Sequence, residues 1–139
     1  PGTCRDRHVD PASTTMRRVR LNAVDGAEHF VDLRLGPQLQ DPFEQCGDFP
    51  LRDRNGNYTY QFCVTVDDFD QHVDLVIRGE DLLDSTGRQL RLARLIGRTQ
   101  PPRFLHHPLV RHPDGSKLSK SAGDAGVHEL RAAGLSAAQ

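Results

Sequence analysis

Two early stretches, VRLNAV (19–24) and HFVDLRLG (29–36), alternate apolar and polar residues, a period of two that predicts strands. DGAE (25–28) between them supplies turn residues, so the two are expected to pair as a hairpin. The turn-rich opening PGTCRDRHVDPAST lacks periodicity and reads as irregular to about Thr15. Asp41 to Gly47 reads as a loop. DFPLRDRNGNYTYQF (48–62) reads as a strand, an Asn55–Gly56 turn and a return to structure at Tyr58. From Tyr60 to Asp68 the residues Phe62, Val64 and Val66 alternate, which favours a strand, with a short helix left open because the run is brief.

HVDLVIRG (72–79) is the clearest strand, and EDLLDSTGRQLRLARLIG (80–97) is helical in composition. In that helix Leu92, Ala93 and Ile96 share one face, Arg88, Arg91, Arg94 and Arg98 the other, and Gly97 lies near the C-cap. Pro101-Pro102 closes the helix, and RFLHHPLV (103–110) supplies a second strand, expected to be parallel to the first. HELRAAGL (128–135) is a short helix. The fold class that follows is α/β. The loop HPDGSKLSKS (112–121) falls just beyond the C-terminal end of a parallel strand, where open α/β sheets bind ligands and helix N-termini face phosphates.

Charge sharpens this picture only when read by region. The chain has 139 residues, with Lys+Arg of 18 against Asp+Glu of 19, for a net charge of −1. Thr65 to Ser85 holds seven acids and one base, whereas Thr86 to Lys120 holds eight bases and one acid. A basic second half suits a polyphosphate or nucleic-acid partner, while a solvated face is the plainer reading for any single arginine from Arg88 to Arg98. Cys4, Cys46 and Cys63 are odd in number and show no CxxC pair, which argues against a disulfide framework and a self-contained zinc site. No apolar run approaches a membrane span and no signal segment opens the chain, so a cytosolic protein is expected. The first residue is Pro1, so the natural start is expected upstream.

KLSKS (117–121) resembles the Lys-Met-Ser-Lys-Ser signature of class I aminoacyl-tRNA synthetases. GDFPLRDRNGNYTYQF, VDDFDQHVDLVIRGEDLLDSTGRQLRLARLIG, PRFLHHPLV and DGSKLSKS are similar, block by block and in order, to the second half of the glutamyl-tRNA synthetase catalytic domain. Within that group they are most similar to the short branch that attaches glutamate to queuosine in the anticodon of tRNA(Asp). The resemblance implies the second half of a Rossmann-type nucleotide-binding domain with a small inserted β-rich subdomain. Residues 1–57 would form a zinc-region remnant and that subdomain, and residues 58–139 the catalytic half.

The resemblance further implies an ATP-dependent ligase with Mg accompanying its ATP. Glutamate would be held by Tyr60 and by Arg78, through a forked pair with the side-chain carboxylate. Lys120 would contact ATP, with Lys117 assisting at the phosphates. Cys4 would be the last ligand of a zinc site whose other ligands precede Pro1. The family's His-Ile-Gly-His type motif has no equivalent in these residues, so this stretch alone is expected to be inactive. An ordinary glutamyl-tRNA synthetase and a non-catalytic remnant binding RNA or protein are the competing readings.

Plainer readings stand beside these. Arg78 could instead pair with Glu80 or Asp81, and Tyr60 could be a core residue. His106 and His107 are adjacent on a strand and point to opposite faces, one packed and one near the crevice. Asp67, Asp68 and Asp70 read as a solvated turn rather than a cation site. Cys46 and Cys63 read as buried small hydrophobes.

Overall fold

Two sheets organise the first part of the chain. β1 (Arg17–Val19) runs antiparallel to β4 (Phe49–Arg52). A second sheet has the order β3-β2-β6-β5 and is built from β2 (Glu28–Asp32), β3 (Gly36–Gln40), β5 (Leu75–Gly79) and β6 (Arg103–His107). β2 and β3 form an antiparallel hairpin, while β6 lies parallel to β2 on one side and β5 on the other. The computed structural model describes residues 15–112, 114–116, 118 and 126–136. The chain divides into two compact units, Pro1–His107 and Pro108–Gln139. The four-stranded sheet draws two strands from each side of position 57/58.

The predicted strand–helix–strand unit is present: β5 leads through a 3-10 segment (Glu80–Ser85) into α3 (Thr86–Leu95) and back to β6. Gly97, at φ 94°, ends the helix, its N–H bonded to Arg94 O and the next to Ala93 O. At the other end of α3, Gly87 passes so close to β3 that an added Cβ would lie 2.8 Å from Gln40 Cβ. The Gln40 amide uses this approach, accepting from Gly87 N at 2.7 Å and donating to Leu83 O at 2.9 Å.

The expected pairing of 19–24 with 29–36 does not occur. The first strand stops at Val19, because Asn22 and Asp25 close a capping box around a 3-10 turn (Ala23–Asp25) that ends the alternation. β1 therefore pairs with β4, and β2 with the strand that follows it. The expected loop at 41–47 contains α1 (Pro42–Cys46), nucleated by Asp41, whose carboxylate accepts from Phe43 N and Glu44 N, with Pro42 preset for the first turn.

The alternation at 62–66 is carried on α2 (Tyr60–Asp70) rather than a strand. Phe62, Val66 and Phe69 also fit a helical repeat, with Phe69 exposed at its end, and Tyr60, Cys63, Asp67 and Asp70 face solvent. Cys63 is consequently exposed and not buried as expected, whereas Cys46 is half-buried. Leu21, Phe49 and Leu92 form the buried cluster, with Val19, Phe43, Leu51, Phe62 and Ile96 packed against it.

β2 inverts the usual pattern. Its inward positions are Glu28, Phe30 and Asp32, with both acids buried, while Val31 is exposed. Burial of Glu28 is compensated by α3: Arg91 Nε donates to Glu28 Oε1 at 2.5 Å and Arg94 to Glu28 Oε2. Arg91 also reaches the carbonyls of Asp25 and Gly26, at 3.1 and 2.7 Å. Arg91 thus leaves the solvated arginine face expected of it and is only 4% exposed.

In the second unit, His112 N donates to Ser116 O and Gly115 N to His112 O, with Gly115 at φ 86°, and Asp114 Oδ1 accepts from Ser116 N and Oγ. α4 (Val127–Ala132) is the expected short helix.

The two arginines on Glu28 should differ sharply on removal. Arg91→Leu leaves a buried carboxylate without its enclosed partner and should cost about 3 kcal/mol. Arg94→Ala removes a 62% exposed side chain and should cost less than about 1 kcal/mol. Urea denaturation of the full-length protein measures both, and equal losses would contradict this account.

Candidate active site

Parallel pairing of β5 with β6 sets Arg78 opposite His106 and Val76 opposite Phe104. Arg78 and His106 are both buried at the C-terminal ends of their strands. Phe104 lies under both, with the Arg78 guanidinium carbon 5.4 Å from its ring centre and the His106 ring stacked at 6.0 Å. Arg78 Nε donates to His106 Nε2 at 2.9 Å, Nη1 to Gln89 Oε1 at 2.6 Å and Nη2 to Thr86 Oγ1 at 2.8 Å.

These contacts fix protons and amide orientations. A guanidinium has no acceptor, so His106 Nε2 must carry a lone pair. The proton of the neutral ring then sits on Nδ1, which donates to Asp32 Oδ2 at 2.6 Å. Likewise Gln89 must present its oxygen to Arg78, so its Nε2 donates to Gln61 Oε1 at 2.6 Å, and Gln61 Nε2 donates to Ser85 Oγ at 3.1 Å. Every member of this chain has one orientation because Arg78 can only donate.

Asp32 anchors the other end. Its Oδ1 accepts from Arg34 N at 3.0 Å and Leu35 N at 2.9 Å, and its Oδ2 from His106 N at 3.0 Å besides Nδ1. Burial alone would raise its carboxyl above the ordinary 3.8, but the His106 bond and the three backbone N–H groups reverse this and hold it lower. Arg34 closes the arrangement by donating to His106 O and to Glu80 Oε2, the latter at 2.5 Å.

Burial pulls the Arg78 pKa downward, opposed by the Tyr60 hydroxyl and the carboxylates of Asp68 and Asp32. Burial likewise pushes the Asp68 carboxyl upward, although Arg98 and Arg78 oppose the shift. Tyr60, the first residue of α2, is 54% exposed and lies near enough to Arg78 to favour its charged form. The arrangement is a charged donor at the end of a parallel strand, suited to an anionic group. Tyr60 is thus close enough to Arg78 to act on its charge.

The plainer pairing of Arg78 with Glu80 does not account for the site, since Glu80 is bound by Arg34. His106 is buried and His107 exposed, so the two point to opposite faces as expected, and it is the packed His106 that meets Arg78. Lys117, Lys120 and Cys4 lie outside the described residues. Among the described residues no group of three or more His, Cys, Asp or Glu could hold a metal ion, so they offer no zinc site. Nor is any described helix long and apolar enough to cross a membrane. Asp32, Thr86, Gln61 and Gln89 were missed by sequence reasoning. The available signal was an acid at an inward position of an alternating strand, which resembles any polar outward residue until the register is known.

A mixed sheet with a strand–helix–strand crossover and a buried arginine at its C-terminal edge fits the frame of a class I synthetase catalytic domain. Residues 17–135 match the family of tRNA synthetases class I (E and Q), catalytic domain, and the chain belongs to that family. The glutamyl-Q tRNA(Asp) synthetase of Bordetella bronchiseptica is 50% identical over 124 residues, covering 88% of this chain and 38% of that protein. That of Nitratidesulfovibrio vulgaris is 42% identical over 144 residues, covering 99% of this chain and 44% of that protein. The chain therefore spans well under half the length of these relatives. A glutamate tRNA ligase from Elizabethkingia meningosepticum, solved in complex with its amino acid, superposes with a TM-score of 0.61 at 32% identity, over 72% of this chain and 20% of that one.

The depressed Asp32 carboxyl makes stability depend on acid. A folded-state pKa below the unfolded value stabilises fully above the ordinary 3.8, and this stabilisation drains away as pH falls through the lowered folded value. Asp32→Asn should therefore be less stable than the parent at neutral pH, with the gap closing below about pH 4. Denaturation of the full-length protein at several pH values measures this, and a gap independent of pH would contradict it.

Proposed function

We propose that this chain is the part of an ATP-dependent ligase that holds glutamate by its side-chain carboxylate while the amino acid is activated and passed to queuosine of tRNA(Asp). The observation that carries this reading is Arg78, buried, charged and oriented by three acceptors. An arginine held so firmly accepts an anion with little loss of conformational freedom, which favours a carboxylate over an amide. Identities of 42–50% to glutamyl-Q tRNA(Asp) synthetases, against 31–32% to solved glutamate tRNA ligases, favour queuosine of tRNA(Asp) over tRNA(Glu) as acceptor.

In activation an oxygen of the glutamate α-carboxylate attacks the α-phosphorus of ATP, the bond to the bridging oxygen breaks, and pyrophosphate leaves. Lys120, with Lys117 assisting, is assigned to the phosphates as charge develops on them, and Mg accompanies ATP as part of the substrate. Cys4 is assigned to zinc in the full-length protein, in company with ligands from outside this chain.

Glutamate-dependent ATP–pyrophosphate exchange by the full-length protein tests the assignment. Arg78→Ala should raise the KM for glutamate on the order of a hundredfold and change that for ATP far less. Lys120→Ala should lower kcat about a hundredfold. Unaltered glutamate kinetics in the Arg78 variant would remove that residue from the site, and charging of tRNA(Glu) in place of tRNA(Asp) would overturn the acceptor.

A further inference from the structure

We propose that His106 and Asp32 are positioning residues for amino-acid recognition, holding Arg78 so that only its terminal nitrogens are offered to the substrate. The inference rests on the assignment of Arg78 to the glutamate side chain. A guanidinium has five N–H protons: one on Nε and two on each terminal nitrogen. The Nε proton is spent on His106, and one proton on each of Nη1 and Nη2 is spent on Gln89 and Thr86. His106 Nε2 and Thr86 Oγ1 are 3.3 Å apart, so together they fill the side edge of the guanidinium, where Nε and Nη2 would otherwise fork onto a carboxylate. What remains is one proton on each terminal nitrogen, open to the substrate. A fork through Nε is closed for as long as His106 holds it.

His106 does this only as the Nδ1–H tautomer, and Asp32 enforces that tautomer. Asp32 Oδ1 is filled by Arg34 N and Leu35 N, so its Oδ2 must serve as acceptor towards His106. In Asp32→Asn the side-chain oxygen keeps those two backbone donors only by turning an NH₂ group towards His106, where it meets the backbone N–H that Oδ2 had accepted as well as the ring. The ring then accepts at Nδ1, moves its proton to Nε2 and faces Arg78 donor to donor. A change of one atom at Asp32 is thereby transmitted to Arg78 through the ring.

Exchange kinetics of the full-length protein provide the test, with Arg78→Ala as reference. His106→Leu deletes the acceptor for Nε and should raise the KM for glutamate about tenfold or more, with kcat and the KM for ATP nearly unchanged. His106→Gln, which can return an oxygen to the Nε2 position, should recover to within about threefold of the parent. Asp32→Asn should resemble the leucine variant, and adding it to His106→Gln should raise the KM no further, since no ring tautomer is left to invert. A residue that merely supports the fold would lower kcat and weaken both substrates together, and glutamine would not rescue it. That outcome overturns the proposal, as does a normal glutamate KM in Asp32→Asn. If the leucine variant does not fold, Asp32→Asn against His106→Gln decides alone: the first must be impaired and the second not. A silent Arg78→Ala would sink the parent assignment, whereas an impaired Arg78→Ala beside silent His106 and Asp32 variants would sink only this inference.

Discussion

A carboxylate with all its acceptor sites filled holds the centre of this molecule. Asp32 accepts four hydrogen bonds, two from the turn that follows its strand and two from His106. The first pair shapes the β2–β3 connection, and the second locks the C-terminal end of β6 to β2. Through the imidazole the constraint reaches β5, where Arg78 is aligned, and through Arg78 it reaches Thr86 and Gln89 on α3. Net charge along the line is balanced, with an anion and a cation separated by a neutral ring. The low polarity of the interior strengthens each bond, so the line tolerates no wrongly placed proton.

The same device recurs at the other end of β2, where buried Glu28 is answered by Arg91 and Arg94 from α3. Sheet and helix are therefore joined by polar contacts at both ends of one strand, with Phe30 packed edge-on against Phe104 between them. Such contacts are weak sources of stability relative to well-packed apolar residues, because desolvation offsets much of their gain. What they provide is a single register: a slip of β2 by one residue would turn Glu28 and Asp32 to solvent and take from Arg91 and His106 the carboxylates they bind.

Legibility in the sequence followed the range of the interactions. The β5–α3–β6 unit was legible because apolar runs, Gly97 and the Pro101-Pro102 pair are local signals. The partner of β1 was not, since a capping box at Asn22–Asp25 breaks the alternation and the choice of β4 is made in three dimensions. α2 was obscured because Phe62, Val64 and Val66 satisfy a period of two while Phe62, Val66 and Phe69 satisfy a helical one. Arg78 and Tyr60 stood out only through family resemblance. Asp32 and Arg91 were misjudged or passed over because an inward charged residue looks like an outward one until its partner, 74 residues away for Asp32 and 63 for Arg91, is known.

One proton, on the His106 ring, sets the orientation of the whole line. Nitrogen NMR of histidine-labelled full-length protein, with His106 assigned through its glutamine variant, reads that proton directly. The account predicts a neutral ring, with Nδ1 in the protonated range and Nε2 in the unprotonated range, near neutral pH. A proton on Nε2, whether in the other tautomer or in an imidazolium, would place donor against donor at Arg78 and contradict the account.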